Sequence, residues 1–180
     1  MDLRGLHPAI LLVNRLVSDE CAKTLYSKNT FALREHGGDV ALYRQASHMS
    51  KFFAHIGHNS SLIRKLEIPF PAFYYENDFG TSDSNTYLAG ADVETLETIM
   101  HFCTELRTLI LFLSYRKLQS VSRDQSKSFE TAVDDLSRFI QKSASKRLQV
   151  IVKVDAIVIG AELKDNMVEK GWRVVMDQLQ

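Results

Sequence analysis

The sequence predicts an α/β fold of short helix–strand units on a mainly parallel sheet, and three observations carry that expectation. The segment Ile63-Arg64-Lys65-Leu66-Glu67-Ile68 returns as Leu106-Arg107-Thr108-Leu109-Ile110-Leu111, with the shared pattern aliphatic, Arg, any residue, Leu, any residue, aliphatic. Each copy follows a stretch of helical periodicity, so a helix feeds a short strand each time. A weaker copy, Lys146-Arg147-Leu148-Gln149-Val150, has Ser145 in the leading place, and Leu66, Leu109 and Leu148 recur at intervals of 43 and 39 residues. Units repeated in this way, joined by right-handed crossovers, build an irregular leucine-rich-like stack. In every strand the Leu and the aliphatic two residues on share a face, which packs on the helices. Burying each such side chain is worth about 2 kcal/mol. No unit covers its own face, so the stack is expected to fold as one body.

The elements follow in order within a single domain, residues 1–180. The first unit is a helix and strand over 8–33. Pro8 suits a first helical position, where its missing N–H is no loss. Leu12, Val13, Leu16, Val17, Cys21 and Leu25 lie on one helical face, and Phe31 and Leu33 share one side of a short strand. Glu35-His36-Gly37-Gly38-Asp39 reads as a turn. The second unit, 47–68, starts at a capping Ser47 and buries Met49, Phe52, Phe53 and Ile56. Gly57 ends its helix, because glycine takes the left-handed conformation without steric cost. Pro69 and Pro71 stop the strand. Phe70 to Tyr87 is irregular and reads as a long exposed loop. The third unit, 92–113, is capped by Asp92, with Val93, Leu96, Ile99, Met100 and Cys103 inward. A basic connector runs from Tyr115 to Lys127. The fourth unit, 128–155, is capped by Ser128, with Phe129, Val133, Leu136 and Ile140 inward. Ile157, Val158 and Ile159 form a candidate extra strand, and a helix over 162–178 closes the chain.

Composition narrows the function classes. Hydrophobic residues make up 45% of 180 and charged ones 24%, an ordinary globular balance that needs no disulfide or metal to hold a core. Basic and acidic residues number 22 each, so net charge gives no pull toward nucleic acid or an acidic membrane, and little protection against self-association. Cys21 and Cys103 sit in apolar helical patterns and read as buried free thiols. The longest apolar run, Leu109 to Leu113, is far short of a membrane span, and the N-terminus carries no signal-peptide pattern. An intracellular protein, cytoplasmic or nuclear, is the expectation.

Two blocks carry a family resemblance. One is Leu6-His7-Pro8-Ala9-Ile10-Leu11-Leu12-Val13-Asn14-Arg15, followed by Asp19-Glu20-Cys21-Ala22 and Leu25-Tyr26-Ser27-Lys28-Asn29-Thr30-Phe31. The other is Phe53-Ala54-His55-Ile56-Gly57, followed by Asn59-Ser60-Ser61-Leu62-Ile63-Arg64-Lys65-Leu66. Together they cover about the first third of the chain and resemble fungal F-box-like proteins with leucine-rich continuations. The resemblance implies a substrate-holding repeat region that contacts another protein, and no catalytic residue. In that family an F-box helix pair docks on a ubiquitin-ligase subunit ahead of the proline helix. Here only Met1 to His7 precede Pro8, so the expectation is the repeat region without an F-box. A ubiquitin-ligase substrate receptor using a divergent docking segment is the alternative.

Each candidate site has a plainer structural role beside its functional one. His48, His55, His58 and His101 raise a second alternative, a metal-dependent enzyme. Gly57 falls between His55 and His58 and spoils their shared helical face, and no Cys or carboxylate completes a ligand spacing. No phosphate-binding glycine loop and no G-x-S-x-G elbow occurs. Glu94, Glu97, Asp134 and Asp135 suit helix N-termini. The basic connector has Tyr115 as its single aromatic, too few for stacking on nucleic acid. The aromatic group Phe73, Tyr74, Tyr75, Phe79 and Tyr87 remains. Aromatics on a loop at the end of a repeat stack serve as binding anchors or as a cap over the core. Trp172 reads as core or edge packing. The expectation is therefore a non-enzymatic protein-interaction module with no cofactor and an unspecified protein partner.

Overall fold

The computed structural model describes residues 15–33, 42–71, 73–77, 84–88, 90–113, 126–143, 148–155 and 161–177. Five strands form one parallel sheet: β1 (Thr30–Ala32), β2 (Lys65–Pro69), β5 (Thr108–Leu113), β6 (Gln149–Asp155) and β7 (Arg173–Asp177), in that spatial order. Between β2 and β5 the chain forms an antiparallel hairpin, β3 (Phe73–Asn77) and β4 (Ser84–Leu88). The helices are α1 (Arg15–Lys28), α2 (Leu42–Ile56), α3 (Gly90–Phe102), α4 (Ser126–Ser143) and α5 (Ala161–Glu169). The expected α/β class with a parallel sheet is present, and β2, β5 and β6 are neighbouring strands.

One row of the sheet aligns Phe31, Leu66, Leu109 and Val150, and the next but one aligns Ile68, Leu111, Val152 and Val174. Alternate strand residues face opposite sides. These two rows, with Leu113 and Val154, join the core together with Met49 and Phe53 of α2, Leu96 and Ile99 of α3, and Cys103 just after that helix. Val133, Leu136 and Ile140 of α4 and Met167 of α5 complete it. Helices α2 to α5 thus bury one stripe against the same side of the sheet, each at a spacing of three or four residues where two or more of its residues take part. A line of ring contacts ties the N-terminal units together. Tyr26 stacks on Phe31 (5.5 Å), Phe31 meets Phe52 (6.2 Å), Phe52 meets Phe53 (5.5 Å), and Phe53 stacks on Phe102 (5.3 Å).

Helix ends follow local chemistry. Asn29 Nδ2 donates to the Leu25 carbonyl (2.8 Å) as α1 ends. Gly57 takes φ +57° after α2, and a 3-10 segment, Gly57–Leu62, carries the chain toward β2. There Ser60 Oγ donates to the Gly57 carbonyl (2.8 Å) and Ser61 Oγ to the His58 carbonyl (2.7 Å). At the other end of the sheet Gly171 takes φ +78°, its N–H donates to the Val168 carbonyl (2.8 Å), and the Trp172 N–H donates to the Met167 carbonyl (3.0 Å). This paired closure is a Schellman motif.

Four expectations are corrected. The helix expected over 162–178 stops at Glu169, and Arg173–Asp177 is the fifth parallel strand; Gly171 closes the helix, and Val174 and Val175 favour a pleated strand. The expected loop from Phe70 to Tyr87 contains the β3–β4 hairpin, because aromatic and β-branched residues flank a segment of small polar ones. In the weaker repeat the position of Leu109 belongs to Val150, so Leu148 lies two residues out of register. Helices α2, α3 and α4 begin earlier than the expected caps Ser47, Asp92 and Ser128. Ile157 to Ile159, the turn at Glu35 to Asp39, the start of the first helix, and the connector from Tyr115 to Gln125 lie outside the described residues.

Candidate functional site

The second face of the sheet is built from the residues that alternate with the core rows. Lys65 and Thr108 stand beside Gln149. Glu67, Ile110, Ile151 and Arg173 form the next row, and Pro69, Phe112, Lys153 and Val175 the one after. None of them belongs to the core cluster. The face mixes charge with apolar area: Phe112, Ile151 and Val175 are half-buried, and Ile110 is buried. Its main polar contact is long-range. Lys153 Nζ of β6 donates to Glu67 Oε2 of β2 at 2.6 Å, reaching across β5. The Glu67 side chain is 14% exposed and that of Lys153 31%. A charged pair held this far out of bulk water is shielded less than a surface pair. A second contact, Arg64 to Glu105 (3.3 Å), lies at the start of the strands and is more exposed.

The backbone register of the hairpin places four of the five residues of the aromatic group. In the hairpin Tyr74 stands opposite Tyr87, Phe73 opposite Leu88, and Tyr75 opposite Thr86. The register therefore makes Tyr74 and Tyr87 opposite positions, with Phe73 and Tyr75 at the alternate positions along β3. Phe79 lies outside the described residues. The hairpin is tethered at its base: Phe70 is buried, its N–H donates to the Phe112 carbonyl (2.8 Å), and Leu88 packs on the core. Helix α4 packs against β4. Since β3 leaves from the end of β2, and all five sheet strands run the same way, the hairpin rises from the C-terminal side of the sheet.

Groups suited to catalysis do not converge among the described residues. His55, His58 and His101 are exposed, and no three His, Cys, Asp or Glu residues gather where they could hold a metal ion. Burial pushes the Cys103 thiol up to about 12, so at neutral pH it is a protonated thiol rather than a nucleophilic thiolate. Cys103 is buried as expected, whereas Cys21 is half-buried; both are free. Asp135 is bonded to Arg138 (2.6 Å), and Asp134 lies 2.7 Å from Lys170 Nζ, linking α4 to the turn after α5, although not in hydrogen-bond alignment. Both aspartates thus have cationic partners beyond the helix dipole. No helix among the described residues is long and apolar enough to cross a membrane.

Sequence reading missed the open-face rows. The available signal was period-two alternation: Lys65 and Glu67 alternate with Leu66 and Ile68, and Lys153 with Val152 and Val154. Which charges then meet depends on strand order. No family model, no curated protein and no solved structure matches the chain.

Proposed function

We propose that this chain is a non-enzymatic module that holds another protein inside the cell, using the open face of the sheet and the hairpin beside its strand ends. The observation that carries this reading is the segregation of the sheet. Among the described residues one side is committed to the helices, while the other presents Phe112 and Ile151 around the Glu67–Lys153 pair. Apolar area with a few oriented charges is the composition of a protein-contact surface. The resemblance of the first third of the chain to fungal F-box-like proteins supports the same reading, since their repeat region holds substrate.

The test places a photo-crosslinking amino acid at position 112, at position 74, or at the exposed helical position 164, and irradiates the folded protein in extract of its source cells. The expected result is one common adduct from positions 112 and 74 and none from 164. Equal labelling from all three, or labelling from 164 alone, sinks the proposal. Ubiquitin-ligase subunits within the common adduct would assign the module to substrate delivery.

A further inference from the structure

Strand β7 ends the sheet among the described residues: it pairs with β6 on one side and with nothing described on the other. An unpaired strand edge offers a row of free N–H and C=O groups, and natural edges are blunted by shortness, proline, bulges or charged side chains, lysine above all; the charges of β7 stand only at its two ends. The opposite edge, β1, uses shortness, with three residues. β7 has five, Arg-Val-Val-Met-Asp, with no proline, glycine or lysine. Its surroundings are also apolar. Met176 is 48% exposed, and Val168, on the helix packed against β7, is 52% exposed; the third exposed large hydrophobic among the described residues, Val17, lies at the far end on α1.

The order of residues in β7 selects one occupant. Laid antiparallel on a second copy of itself about Val175, the strand sets Arg173 opposite Asp177, Val174 opposite Met176, and Val175 opposite Val175. Unlike charges then meet at both ends, and the apolar positions meet in the middle. Parallel pairing in the same register would set Arg173 on Arg173 and Asp177 on Asp177, which repels. The antiparallel arrangement is two-fold and closes on itself, leaving only the short β1 edges outside. A chain of zero net charge adds no global repulsion.

We infer that β7 is a homodimerisation strand, pairing antiparallel with β7 of a second copy about Val175 and joining the two sheets into one. The pairing uses the edge of β7 and the protein-holding role the open face; Val175 borders both, and sedimentation of the chain alone reads the pairing. Because Val175 faces itself across the two-fold axis, one position tests both the contact and its register.

The experiment follows sedimentation of the full chain across a concentration series, alongside Val175→Lys, Val175→Glu and their equimolar mixture. The wild-type chain is expected at twice its monomer mass. Each variant alone is expected to weaken association at least about tenfold, because like charges then face each other. The mixture is expected to restore the dimer, since lysine then faces glutamate. A wild-type chain that stays monomeric overturns the inference. So does a dimer that neither variant weakens, or a mixture of two folded variants that stays monomeric. Should a charged variant fail to fold by circular dichroism, Val175→Cys decides. Its disulfide-linked dimer should form faster under oxidised glutathione than that of Lys164→Cys, and equal rates overturn the inference.

Discussion

Strands β5 and β7 are built from similar residues and meet opposite environments. β5 lies in the middle of the sheet between β2 and β6, and its Leu109, Ile110, Leu111 and Leu113 are all buried. Among the described residues β7 is paired on one side; its Val174 and Val175 are half-buried and Met176 is half exposed. An aliphatic side chain is therefore worth what its place in the sheet allows, and hydrophobicity by itself does not set that worth. A central residue is enclosed by two neighbouring strands and the helical layer, whereas an edge residue lacks one of those walls.

The sharpest way to break this contrast is a matched truncation. Leu109 is fully enclosed, so Leu109→Ala removes buried area and leaves a cavity; a loss of about 2–5 kcal/mol is expected. Met176→Ala removes a side chain already half in water, and its cost is expected below about 1 kcal/mol. Urea denaturation of both variants in dilute solution measures the difference. Losses of equal size would mean that β7 is as enclosed as β5, and the contrast between centre and edge would fall.

A smaller effect separates the turns that feed the two regions. Gly57 leads into β2 and Gly171 into β7; both have positive φ, and neither has an atom within 4 Å of where a Cβ would stand. Crowding is absent, so alanine at either site adds only the strain of the left-handed conformation, about 1–2 kcal/mol. The expected difference lies in where the strain is felt. In dilute, monomeric solution Gly171→Ala should first release amide protection in β7, which has one described neighbouring strand, and leave β5 protected. Gly57→Ala should lower protection in β2 and β5 together, because the core joins them. Hydrogen exchange of both variants reads this directly, and a uniform loss from Gly171→Ala would show that the edge strand is not a separable part.

The same contrast explains what could be read from the sequence. Central strands were legible because Leu66 and Leu109 repeat a local pattern, and burial on the helical side demands aliphatics at alternate positions. The edge strand was hidden because Trp172 to Asp177 continues an apolar spacing that also suits a helix, and the sign of φ at Gly171 is not written in the letters. Leu148 was misaligned with Leu109 for a related reason. Both Leu148 and Val150 are aliphatic, and only pairing with β5 decides between them. The hairpin was obscured because composition does not fix which position of β3 stands opposite Tyr87. The open face is the least legible, since Glu67 and Lys153 lie in different units and meet only after the strand order places β5 between them.

That pair supplies the finest probe of the sheet's centre. Lys153→Met removes the ammonium from Glu67, which is 14% exposed and loses its only described ionic partner on this face, while the methionine keeps most of the apolar stem. The pair is more sheltered from water, and so less screened, than a surface ion pair, yet open to solvent on the lysine side, so the expected loss is about 1 kcal/mol, the upper end for exposed pairs. Glu67→Gln should cost less, because the amide oxygen still accepts from Lys153. In the double variant the losses should fail to add, which is the signature of a direct contact. Arg64 and Glu105 serve as the reference: they are 3.3 Å apart and 38% and 49% exposed, and should couple by no more than a few tenths of a kcal/mol. Equal coupling in the two cycles would mean that β5 and its neighbours give the Glu67–Lys153 pair no shelter, and the open face would then be no better ordered than the rest of the surface.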